Sequence, residues 1–141
     1  MMNKGTRTLR GVCQANTKKL VFNNDLPGYG WIVESFDVIP NDLDTMPQVW
    51  GKLWIGADTG GSLQYSDMGD TRCIGWSVAS DIGPAGTQYS LIDPDHIVTE
   101  DLRVINGTGA SLGYLIRLKL IELTPNEQII SIIKQRSQDD L

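Results

Sequence analysis

The sequence predicts an all-β domain: an antiparallel sandwich of jelly-roll type with an extended N-terminal arm and a short C-terminal helix. Three observations predict it. Apolar residues alternate with polar ones in segments of roughly five to nine residues, recurring about every ten. Between these segments Gly, Pro, Asn and Asp cluster, as in Asn23-Asn24-Asp25, Pro27-Gly28 and Asn106-Gly107. Only beyond residue 123 does the apolar period change to three and four, the spacing of a helix. Strands do not alternate with helices, and no repeat or low-complexity stretch suggests another class.

The elements follow in order. Thr6–Cys13 suits an edge strand or an extended arm, and residues 19–22 a short strand. Residues 29–39 read as a longer strand, with Ile32, Phe36 and Val38 on one face and Trp31 and Val33 on the other. A polar loop at 41–47 leads to a strand at 49–57 carrying Trp50 and Trp54. The turn-rich stretch 58–71 precedes a strand at 72–79 with Cys73, Ile74, Trp76 and Val78. After the 81–86 loop, a short strand at 87–92 ends in Asp93-Pro94-Asp95-His96, where Asp93 is placed to bond its own backbone. Residues 97–105 read as one strand with Val98, Leu102 and Val104 inward. Asn106-Gly107-Thr108-Gly109 then reads as a hairpin connection. In the last strand Tyr114, Ile116, Leu118 and Leu120 share the core face, opposite Arg117 and Lys119.

Thr124-Pro125-Asn126-Glu127 has the signature of a helix start: a capping threonine, proline at the first turn, and a glutamate completing the box. Ile129, Ile130, Ile132 and Ile133 give that helix a very apolar stripe. The chain thus divides into a basic arm at 1–18, a sandwich at 19–123 and a helix at 125–137, all one domain.

Composition narrows the class of function. Hydrophobic content of 40% with 21% charged residues marks a globular chain, and no apolar run approaches the roughly 20 residues of a membrane helix. The N-terminus lacks the apolar region of a secretory signal. Cys13 and Cys73 are too few for a disulfide framework, and free buried thiols in a reducing compartment are expected. The net charge of −5 is unevenly spread. Residues 1–19 carry Lys4, Arg7, Arg10, Lys18 and Lys19 and no acid, whereas 34–101 carry twelve acids against Lys52 and Arg72. Such polarity invites copies to associate, arm on acidic surface. Nucleic acid is not the expected partner, because no aromatic residue is interleaved with the basic ones to stack on bases.

Catalytic chemistry is thin. A single histidine, His96, excludes a site with two or three imidazoles within one chain. No serine sits in a G-x-S-x-G elbow, and no glycine loop has the G-x-x-x-x-G-K-[ST] pattern. Asp58, Asp67, Asp70, Asp93 and Asp95 all fall in loops, yet none matches a calcium-loop spacing. No enzyme activity, cofactor or metal is expected. Trp50 and Trp54, about 13 Å apart on one strand face, suit successive sugar rings if that face is open, and core packing if it is not.

Several stretches carry a resemblance. They are Asn16-Thr17-Lys18 leading into a strand, Arg72-Cys73-Ile74-Gly75-Trp76, the run from Leu91 through Asp93-Pro94-Asp95-His96 to Leu102, Tyr114-Leu115-Ile116, and the closing Ile133 to Asp139. Together the chain resembles a group of small virion proteins from tailed bacteriophages of aquatic habitats. The resemblance implies a capsid-associated structural protein of cement, decoration or minor capsid type, assembled in the host cytoplasm and located in the virion. The implied partners are the major capsid protein or other virion proteins, and further copies of itself. Lys4, Arg7, Arg10, Lys18 and Lys19 of the arm and Ile130, Ile133 and Arg136 of the helix are the expected interaction residues. The alternative is a phage tail or surface β-module that binds host carbohydrate.

Overall fold

The computed structural model describes residues 5–41, 48–56, 68–80 and 87–123. Those residues form nine strands: β1 Thr6–Cys13, β2 Thr17–Asn23, β3 Tyr29–Pro40, β4 Gln48–Ile55, β5 Cys73–Ser80, β6 Thr87–Ile92, β7 Ile97–Val98, β8 Asp101–Asn106 and β9 Leu112–Glu122. They build two sheets, one ordered β1-β9-β3-β7 and the other β2-β8-β4-β5-β6, with every pairing antiparallel. The fold is therefore all-β and has two facing sheets. The expected C-terminal helix at 125–137, with Ile130, Ile133 and Arg136, lies outside the described residues, as does Lys4.

Three expectations are corrected. Of the two readings of Thr6–Cys13, the edge strand holds and the arm does not: β1 pairs along its whole length with β9, from Thr6 opposite Lys119 to Cys13 opposite Leu112, and β2 begins at Thr17. The sandwich therefore starts before residue 19. The single strand expected at 97–105 is two strands in different sheets, β7 beside β3 and β8 between β2 and β4. Likewise β8 and β9 occupy different sheets, so Asn106-Gly107-Thr108-Gly109 is a crossover between layers and not a hairpin.

The core lies between the sheets, and bulges adjust which residues reach it. In β3 the pairing with β9 shifts register between Val33 and Ser35. The extra residue reverses the alternation, so Trp31 and Val33 before it and Phe36 and Val38 after it all face inward. Ile32, expected beside Phe36, is only half buried. Phe36 has no exposed surface, and its ring fills the space over Gly51, where a Cβ would lie 3.4 Å from Cζ. Both thiols are free and buried. Burial pushes the Cys13 thiol up despite the nearby charge of Lys19, so it stays protonated and inert.

Polar groups tie the two layers at their margins. Asn106, fully buried, donates through Nδ2 to the carbonyls of Cys13, Gln14 and Ala110 at 3.2, 3.1 and 2.8 Å. Its Oδ1 accepts from the Thr108 amide at 2.9 Å. At the opposite margin the Val38 amide donates to Ser77 Oγ at 3.1 Å, Ser77 pairs with Ser90 Oγ at 2.9 Å, and Ser90 donates to Asp37 Oδ1 at 2.9 Å. This chain polarises in one direction and ends on a carboxylate, which strengthens each link.

Candidate functional site

Side chains with chemistry beyond plain packing gather on two outer faces of the sandwich. The first is the outward face of the five-stranded sheet. Registration places Lys52 of β4 beside Ile105 of β8 and Trp76 of β5, and Trp54 beside Arg103 and Cys73. Alternation along β4 puts Trp50, Lys52 and Trp54 on this face, while Val49, Leu53 and Ile55 join the core. The Lys52 ammonium lies 6.0 Å from the Trp50 ring and 5.7 Å from the Trp54 ring, and the Arg72 guanidinium lies 4.9 Å from Trp54. Cations thus alternate with indole faces, an arrangement favoured by the negative ring surface and strengthened by desolvation. Lys52 has no exposed surface, and Trp54, Cys73, Trp76 and Ile105 form a second buried cluster around it. Trp54 is 1% exposed, so Trp50 and Trp54 do not make an open platform for sugar rings. The indole N–H groups of Trp54 and Trp76 are buried without an acceptor among the described residues.

Arg72 is held by Asp70. Its Nε donates to Oδ1 at 3.1 Å and its Nη2 to Oδ2 at 2.8 Å, a two-pronged pair of the strong kind. Burial raises the Asp70 carboxyl, but the hydrogen bonds and charge of Arg72, with Lys52 behind them, outweigh it and hold Asp70 below the usual carboxylate range. A carboxyl more acidic in the folded state stabilises the fold above its unfolded-state pKa, and that contribution fades as pH falls through the folded-state value. Asp70→Asn should therefore lower the urea midpoint at neutral pH, and the gap to wild type should close in acid. A gap that stays constant from about pH 7 to about pH 3 would contradict this.

The second face is the outside of the four-stranded sheet. Here Val12 of β1, Gly113 of β9 and Ile39 of β3 lie in one row across the strands, and Arg10, Leu115 and Asp37 in the next. Together they line an open groove of about 610 Å³. Gly113 forms its floor, since a Cβ there would come within 3.3 Å of Ile39 Cγ1. Val12, Ile39 and Leu115 are 37%, 60% and 46% exposed. A contiguous apolar strip of this kind, with a basic group at one side and an acidic group at the other, has the make-up of a protein contact.

The expected interaction residues separate on the structure. Arg10 lines the groove. Arg7 and Lys19 close the seam between the sheets: Arg7 stacks 5.2 Å from the Phe22 ring, and Lys19 lies 5.4 Å from the Tyr114 ring and donates to the Val12 carbonyl at 2.9 Å. Their aliphatic stems cover apolar side chains at an open edge, which is a structural task. Lys18 stands on the other sheet, opposite Ile105. Among the described residues the loop aspartates do not converge: Asp70 pairs with Arg72, and Asp93 accepts from the Asp95 amide at 3.1 Å and lies 3.6 Å from His96 Nδ1. Asp58 and Asp67 lie outside the described residues. Among the described residues no three His, Cys, Asp or Glu side chains are grouped to hold a metal ion.

Sequence reading missed Val12, Ile39 and Leu115. The signal was present in β9, where the outward positions run Leu115, Arg117, Lys119 and the first breaks the polar pattern. The buried lysine was also missed, although strand alternation through Trp50-Gly51-Lys52-Leu53-Trp54 already places it between two indoles on one face. The chain matches no protein-family model, no curated protein and no solved structure.

Proposed function

We propose that the protein is a bacteriophage virion component of the cement, decoration or minor capsid type. It acts by contacts with the major capsid protein or other virion proteins, in many copies, after assembly in the host cytoplasm. The observation that carries this reading is the groove of Val12, Ile39 and Leu115, an apolar strip on an otherwise solvated sheet face. The fold supports it further. The sheet β1-β9-β3-β7 faces β2-β8-β4-β5-β6, and the chain passes from one layer to the other at six of the eight connections between the described strands. Repeated crossing between layers supports the jelly-roll reading, an architecture used by viral capsid domains. Two buried free thiols suit a protein that folds in a reducing cytoplasm.

Leu115→Lys places a charge in the middle of the groove at a position already half exposed. Binding to particles that lack the protein should weaken by about tenfold or more, with the urea midpoint of the free protein little changed. Undiminished binding by this variant would remove the groove from the contact.

A further inference from the structure

The edges of the two sheets are treated very differently. The β1 and β2 edges carry Arg7, Arg10, Lys18 and Lys19, and Lys19 itself bonds a β1 carbonyl. The β7 edge is two residues long. Where β3 runs beyond β7, its Val38 amide is taken by Ser77 Oγ and its Val38 carbonyl by Gln88 Nε2. Each is a recognised way to stop a strand edge from recruiting another. Among the described residues nothing protects the edge at β6 in this way. Thr87-Gln88-Tyr89-Ser90-Leu91-Ile92 contains no charge and no proline, and among the described residues it pairs on one side only, with β5. Its outward side chains are open, with Tyr89 54% and Leu91 39% exposed.

We infer that β6 is a self-association edge, on which the β6 strand of a second copy of this chain pairs antiparallel about a twofold axis. Side-chain parity selects the register. Residues opposite one another must share a face, so the axis falls on a residue and not between two. With the axis at Ser90, Tyr89 of one copy lies against Leu91 of the other, twice over, and Gln88 lies against Ile92. Aromatic–aliphatic cross-strand pairs of this sort stabilise an antiparallel sheet. No like charges meet: the nearest acid, Asp93, falls opposite Thr87 of the second copy. Ser90 keeps its bond to Asp37, since that bond is made toward the other layer. The product is one continuous ten-stranded sheet across two copies, a closed isologous dimer. The pairing does not rest on the virion reading, because of the residues that line the groove only Gln88 belongs to β6.

Sedimentation equilibrium of the full chain tests it. Wild type should show a monomer–dimer equilibrium, and Tyr89→Lys should raise the dimer dissociation constant by about tenfold or more while leaving the unfolding midpoint in place. The double variant Tyr89→Cys/Leu91→Cys should link into a covalent dimer on oxidation, whereas wild type, with both thiols buried, should not. A chain that is monomeric at every concentration overturns the proposal. A dimer that survives Tyr89→Lys but dissociates with Leu115→Lys also overturns it, and moves the self-contact to the groove.

Discussion

Replacing Asn106 with aspartate is expected to destabilise the fold by about 3–5 kcal/mol, the cost of leaving a charge buried among groups that do not satisfy it. Asn106 has no exposed surface. Its amide hydrogens are the donors for the carbonyls of Cys13, Gln14 and Ala110. These belong to the turn that follows β1 and to the crossover between β8 and β9, so one side chain fixes two connections between the layers. Aspartate keeps the shape and the acceptor for Thr108 but has no donor, and its negative charge would face three carbonyl oxygens. Urea denaturation measures the loss. A change below about 1 kcal/mol would mean that the two connections hold each other without this amide.

The second large effect is expected at Phe36. Its side chain is fully buried between the sheets, and Gly51 on the opposite layer leaves room for the ring beside Val38 and Leu112. Phe36→Ala should cost about 3–5 kcal/mol, because the surrounding strands are held by their ladders and do not collapse into the cavity. Filling from the other side offers a check. Gly51→Ala in wild type meets Leu112 and Val38 at 3.3 Å and should be mildly destabilising. The same change should be better tolerated once Phe36 is gone, and equal penalties in both backgrounds would show that the two residues do not share the space.

Most strand positions were legible because alternation is a local property of the chain. Val98, Leu102 and Val104 face the core as their period implies, and so do Tyr114, Ile116 and Leu118. Layer assignment was not legible, because the same alternation continues across Thr99 and Glu100 while the chain leaves one sheet for the other. The bulge at Glu34 was hidden for a similar reason: two inward sets of opposite parity look like two faces of one strand. Thr6–Cys13 illustrates the limit of charge. Arg7 and Arg10 suggested a solvated arm, yet on an edge strand such residues close a seam and discourage unwanted pairing, and both roles leave the same mark on the sequence. The groove needs three strands in register, and only Leu115 signalled it beforehand.

The most direct test of the proposed virion role is quantitative mass spectrometry of purified phage particles. The expected result is this chain present in many copies, at a fixed ratio to the major capsid protein. Particles that are complete and contain none of it would contradict the role.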